Sequence, residues 1–234
     1  MLPYLHLDLP VTQLLNPQWR PDNQGQDYWT MIYRFGQPRE GENTAIPGRH
    51  GVENTTQYIA DPRELLSEEL VDFMRSQGVI TDHRGDYTGA LFVFFHRPTG
   101  RPGPIHCDWG PDPSKPRNHW AINWCEAAEQ DQHMMWYEPL DPRLDEEGFP
   151  VTAGRMNGWS KIPEFAPEAV REIARTTITR PTLVRTDIPH NAHNSAEATR
   201  WAFSFRGKRE PDWSTAYQRW QRFASREAER GTLE

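Results

Sequence analysis

The segment Pro104-Ile105-His106-Cys107-Asp108 sets a histidine and an aspartate two positions apart. In extended chain, side chains two residues apart project to the same side, so His106 and Asp108 can reach one metal ion while Cys107 points elsewhere. Two imidazoles and one carboxylate make the facial set that suits iron(II) and leaves coordination positions open. The second imidazole must come from a remote stretch of chain, and residues 187–194 offer two candidates, His190 and His193. Three apart in a strand, they would face opposite ways, so one excludes the other. Ten positions beyond His190 stands Arg200, whose guanidinium can grip a carboxylate through two parallel hydrogen bonds.

These residues need a scaffold, and the sequence predicts one made mainly of strands. Segments 27–34, 87–96, 118–125, 132–138, 181–186 and 199–206 are rich in aromatic and branched residues, with turn signals between them. A period of two puts Arg200, Ala202, Ser204 and Arg206 on one face and Trp201, Phe203 and Phe205 on the other. In 118–125 the same pattern sets His119, Ala121, Asn123 and Cys125 against Trp120, Ile122 and Trp124. A shared polar face fits either a barrel with a polar cavity or a sheet face turned to solvent.

Three helices are expected. The first starts at the cap Asp61, with Pro62 in its first turn and Glu64 completing a capping box, and stops at Gly78. Pro167 opens a short second one with Val170, Ile173 and Ala174 as its apolar positions. The third follows Asp212, presents Trp213, Tyr217, Trp220 and Phe223 as a packing stripe, and ends near Gly231. Turn-forming residues crowd 36–51 and 98–116, which are read as long loops, and 141–148 reads as a solvated acidic turn. Many strands with peripheral helices give a mainly β fold with flanking helices, of jelly-roll type.

Composition bounds the rest. A chain of 234 residues with ten Trp, ten Phe and seven Tyr can bury a sizeable core and is read as one domain, 1–234. A net charge of -7 argues against a nucleic-acid partner, because phosphate neutralisation needs a concentrated basic surface. Cys107 and Cys125 form no CxxC pattern and fit a reducing cytoplasm. No basic leader precedes an apolar run, and no segment approaches the ~18 apolar residues of a membrane span. The expectation is a soluble, cytoplasmic protein.

The arrangement His106, Asp108, His190 and Arg200 resembles the iron(II)- and 2-oxoglutarate-dependent oxygenase superfamily, whose pattern is HxD, a distal His, and a basic residue about ten positions later. The resemblance implies a double-stranded β-helix (cupin-like) core over about 87–206, while the segments before and after it lie outside the match. It favours His190 over His193, because the family's distal ligand commonly sits in an Asp-x-Pro-His context. It implies Fe(II), 2-oxoglutarate and O2, with Arg200 holding the distant carboxylate of 2-oxoglutarate; Arg206, on the same face, is the rival anchor. The hydroxyl that many members carry two residues after the arginine is replaced here by Ala202, with Ser204 two further on. Asn123 is a candidate contact to 2-oxoglutarate or substrate. The implied reaction hydroxylates a small molecule or amino-acid side chain and releases succinate and CO2.

Two other readings compete. A cupin-like metalloenzyme that uses no 2-oxoglutarate would recruit an extra histidine, His193 or His119, and leave Arg200 as a structural ion pair. A non-catalytic jelly-roll binding module would use surface arginines such as Arg219, Arg222, Arg226 and Arg230 for a partner. Otherwise His96, His119 and His193 are read as structural, and Trp124 and Trp136 as core.

Overall fold

The computed structural model of the chain describes residues 1–18, 55–60, 65–80, 90–96, 100, 102–108, 119–126, 133–141, 154–156, 160–162, 164–193, 197–198, 200–206 and 212–225. These form strands β1 (Tyr4–His6), β2 (Thr55–Ala60), β3 (Ala90–His96), β4 (Ile105–His106), β5 (Trp120–Glu126), β6 (His133–Pro139), β7 (Gly154–Met156), β8 (Ser160–Ile162), β9 (Glu164–Phe165), β10 (Val170–Thr177), β11 (Thr182–Arg185), β12 (His190–Ala192) and β13 (Arg200–Arg206). Two helices accompany them, α1 (Glu68–Ser76) and α2 (Trp213–Trp220). No helix among the described residues is long and apolar enough to cross a membrane.

One sheet has six strands in the order β1-β11-β5-β13-β3-β2, and a second has five in the order β10-β6-β12-β4-β9. Every pairing is antiparallel, and sequence neighbours are seldom sheet neighbours, the connectivity of a jelly-roll sandwich. The alternation seen in the sequence decides what each face of the large sheet does. Trp120, Ile122 and Trp124 of β5 and Trp201, Phe203 and Phe205 of β13 pack outward onto Leu70 and Met74 of α1 and Trp213 and Trp220 of α2. Trp120, Phe203, Phe205, Leu70 and Trp220 are all fully buried, and each such side chain contributes roughly 1.5–3 kcal/mol of transfer free energy. The aromatic stripe of α2 is therefore packing, as its spacing predicts.

The opposite face of β5 and β13 meets the five-stranded sheet. At one end that contact is dry: Ala121 and Val184 pack with Met134, Trp136 and Ile178. Tyr4 stacks on Trp136 with ring centroids 5.4 Å apart, and the Trp136 indole N–H donates to the Arg185 carbonyl at 2.9 Å. His6 crosses between the sheets, with Nδ1 2.9 Å from the Thr182 hydroxyl and Nε2 3.0 Å from that of Thr176.

Several expectations are corrected. The run from Asp61 to Gly78 is not one helix: Leu66 bridges to Leu15, and α1 starts only after Ser67. The Ser67 hydroxyl accepts from the Leu70 amide and so caps α1, while Asp61, Pro62 and Glu64 lie outside the described residues. The stop at Gly78 holds, with φ at 64°, a conformation that suits a residue lacking Cβ. The helix expected from Pro167 is only a 3-10 turn over Pro167–Ala169, and Val170, Ile173 and Ala174 belong to β10. Pairing with β6 overrides any helical spacing there, with a bulge between Glu172 and Ala174 that disturbs the alternation. The third helix gives way to a 3-10 turn at Gln221–Phe223, before its expected end at Gly231, which lies outside the described residues, as do the strand expected at 27–34, the loop at 36–51 and the acidic turn from 142 on. The loop expected over 98–116 contains β4.

Candidate metal centre

His106 closes β4, and His190 opens β12, where the two strands meet in a single register pair, His190 with His106. Asp108 follows two residues after His106, and its backbone N–H donates to the Thr186 carbonyl at 2.9 Å. The three side chains converge so that one ligand atom from each lies within 4.8 Å of the others. His106 Nε2 is 3.4 Å and His190 Nε2 3.9 Å from Asp108 Oδ1, and the two imidazole centroids are 4.7 Å apart. Cys107 points to the other side of the strand, where it is buried with Ile105, Phe165 and Val170.

Both imidazoles are oriented from behind by main-chain carbonyls. His106 Nδ1 lies 2.9 Å from the Pro104 carbonyl and His190 Nδ1 2.9 Å from that of Ile188. A carbonyl can only accept, so each Nδ1 carries the proton and each Nε2 presents its lone pair to the centre. Asp108 divides its carboxylate: Oδ2 takes an ion pair from Arg206 Nη1 at 2.9 Å, while the buried Oδ1 has no hydrogen-bond partner. A buried carboxylate oxygen left bare costs free energy unless something cationic meets it. Two lone pairs and one bare anionic oxygen around one point are a donor set that fits a divalent cation such as iron(II).

The electrostatics differ among the three groups. Burial works against a charged Asp108, but the Arg206 guanidinium and the two imidazoles outweigh it and hold the carboxyl well below the usual carboxylate range. Burial, joined by repulsion from His106, pushes the His190 imidazole down to about 4, so it is neutral at pH 7 and free to ligate. For His106 burial is opposed by Asp108 and by the Pro104 carbonyl, and the imidazole rises above its ordinary value.

The triad opens into a cavity of about 150 Å³ between the sheets. Arg200, Ala202, Ser204 and Arg206 of β13 all line it, so the polar face read from the sequence looks into the molecule. Arg200 is 3% exposed, with Nη1 3.8 Å from the Cys125 sulfur. Asn123 sits opposite Ser204 in register and also lines the cavity; its Oδ1 is buried without a partner. Of the two rival arginines, Arg206 pairs with Asp108 beside the triad, and Arg200 stands at the other end of β13.

His193 is not part of the centre. Its ring stacks on His133, with centroids 5.1 Å apart, and its backbone N–H donates to the His133 carbonyl. His119 bonds Asp187 at 2.9 Å and does not line the cavity. His96 was read as structural, yet it lines the cavity opposite Arg200, where burial and that guanidinium push its imidazole well below the ordinary value. The same period of two that placed Arg200 inward would have placed Phe94 and His96 inward on β3. The Arg206–Asp108 pair was not foreseen, because nothing in the spacing shows that β13 ends beside the HxD segment.

No family model matches the sequence, and no curated protein matches it. Among solved structures, the chain is similar to ycfD of E. coli at 13% identity with a TM-score of 0.36, over 70% of this chain and 36% of that one. It is similar to a prolyl-4-hydroxylase of Pseudomonas putida at 11% identity with a TM-score of 0.37, over 84% of this chain and 94% of that one. The chain thus spans about a third of the length of ycfD.

Proposed function

We propose that this protein is an iron(II)- and 2-oxoglutarate-dependent oxygenase that hydroxylates a small molecule or an amino-acid side chain. The observation that carries the reading is the bare Asp108 Oδ1 facing two imidazoles whose Nδ1 atoms are both tied back, at the mouth of a cavity walled by a second buried arginine. Iron(II) held by His106, Asp108 and His190 would supply the activation of dioxygen, with oxidative decarboxylation of 2-oxoglutarate to succinate and CO2. The remaining work belongs to the protein. Arg200 takes the distant carboxylate of the co-substrate in a bidentate grip, and Ser204 and Asn123 are placed to hydrogen-bond along its length. Arg206 occupies one oxygen of Asp108 and so presents the other to the metal. Phe94, Met134 and Ile178 make the cavity walls apolar and keep bulk water from the reacting atoms.

The extra histidine that a cupin-like alternative could use is not supplied by His193 or His119, which are engaged with His133 and Asp187. The proposal is tested by incubating the purified protein anaerobically with Fe(II) and 2-oxoglutarate, admitting oxygen, and measuring succinate. Succinate formation that needs both additions and vanishes in Asp108→Ala supports it, because that substitution removes the only anionic ligand. Turnover that survives in Asp108→Ala, or a parent protein that does not bind Fe(II), overturns it.

A further inference from the structure

The two ligand histidines meet on very little backbone. β4 has two residues and β12 three, and the register between them is one pair. On their outer sides β12 pairs with β6 and β4 with β9, so the weak point is the seam between the two histidine-bearing strands, where ladder pairing stops after one pair.

The side chain of Asn191 sits at that junction. It follows His190 in β12 and is 3% exposed, turned by strand alternation toward Tyr137. Its Nδ2 donates to the Gly103 carbonyl at 3.0 Å, and its Oδ1 accepts from the Tyr137 hydroxyl at 3.1 Å. Two backbone bonds close the frame: the Gly103 N–H to the Ala192 carbonyl at 2.9 Å, and the Tyr137 N–H to the Pro189 carbonyl at 2.8 Å. Gly103 directly precedes Pro104, whose carbonyl orients His106, and Pro189 directly follows Ile188, whose carbonyl orients His190. The amide thus braces the backbone on both sides of the centre through Gly103 and Tyr137.

We propose that Asn191 is a positioning residue for the metal centre, clamping the Gly103-Pro104 segment to β12 so that the His106 and His190 lone pairs stay aimed at one point. The role demands a donor and an acceptor on one short side chain. Aspartate keeps the acceptor for Tyr137 but sets a carboxylate against the Gly103 carbonyl, and leucine, with the same branched skeleton but no polar atom, keeps neither. Partners that orient metal ligands from outside typically contribute 10–100-fold in metal affinity.

This inference rests on the metal-binding reading above, and its test is chosen so that the two can fail separately. Metal-free parent, Asn191→Leu, Asn191→Asp and Tyr137→Phe are each titrated with Co(II), following the visible ligand-field bands and the Kd. Far-UV circular dichroism and urea unfolding in EDTA report on the fold. The expected result is Co(II) affinity weaker by about 10–100-fold in Asn191→Leu, with displaced or weakened bands. Tyr137→Phe, which spares the Gly103 bond, should show a smaller change. If Asn191→Leu loses only stability in EDTA and keeps the parent Kd and spectrum, the residue is structural and the proposal falls. Should Asn191→Leu fail to fold, Asn191→Asp decides by the same criterion. A parent that binds no Co(II) removes the metal centre itself, and the clamp with it.

Discussion

Replacing Arg206 by methionine keeps most of the apolar stem and deletes the guanidinium that faces Asp108. The two side chains are 9% and 3% exposed and 2.9 Å apart, so the small worth of surface ion pairs does not apply. Removing one member of a buried pair strands the other, which costs about 3–5 kcal/mol. That full loss is expected only without metal, where Asp108 would have just the two imidazoles near it. With a divalent cation bound, the ion supplies the positive charge that Arg206 gave up, and the loss shrinks. Stabilisation by saturating Mn(II) should therefore be larger in Arg206→Met than in the parent. The assay is urea unfolding of both proteins in EDTA and in excess Mn(II), comparing midpoints at constant slope. Equal midpoints for the two proteins in EDTA would show that the pair does not stabilise the fold. An equal deficit in both conditions would show that the cation does not meet Asp108 at all.

Three further outcomes follow from the structure. Arg200→Ala should raise the concentration of 2-oxoglutarate needed for half-maximal succinate formation by roughly tenfold or more, the worth of a lost charge-assisted grip, and leave the Co(II) Kd near the parent value; collapse of metal binding as well would show the two roles are not separate. Ser67→Ala removes the hydroxyl that accepts from the Leu70 amide at 3.1 Å and donates to the Gln13 carbonyl at 2.6 Å, and should cost about 1–2 kcal/mol in urea unfolding; no change would mean that the cap is replaced by water. Burial, aided by Arg180, depresses the His6 imidazole, so the folded state favours its neutral form. The unfolded chain, with a value near 6.5, binds the extra proton first as pH drops. The contribution is therefore present above about pH 6.5 and lost as pH falls through the lower folded value. His6→Gln should unfold less steeply in acid than the parent, and an unchanged acid profile would refute the assignment.

Much of this was legible in the residues because alternation is a strong signal where one face is packed and the other lines a cavity. The stretches 118–125 and 199–206 show it over seven or more positions: their aromatic sets pack under the helices, and Asn123, Cys125, Arg200, Ala202, Ser204 and Arg206 line the cavity. The HxD triplet and the distal histidines could be picked out by type, and the exclusion of His190 and His193 by each other follows from strand geometry. Less was readable where elements are short. β4 and β12 have too few residues to show any period: β4 lies in the stretch read as a loop, and residues 190–192 are in none of the segments read as strands. β10 was mistaken for a helix because a bulge spoils its alternation and a proline stands before it. The pairing of Arg206 with Asp108 and the clamp by Asn191 depend on which ends of remote strands adjoin, and only the assembled sandwich decides that.

The two walls of the cavity are unequal in thickness. Behind the six-stranded wall lie two helices and a layer of tryptophans and phenylalanines, whereas the wall that carries His106 and His190 is backed at β4, among the described residues, by the small group of Ile105, Cys107, Phe165 and Val170. Among the described residues, buried apolar packing is thus more extensive on the side holding Arg200 and Ser204 than on the side holding the histidines. On the proposed reading the acid would be gripped from the thick side, and a bound ion would be the rivet that joins the thin plate to the thick one.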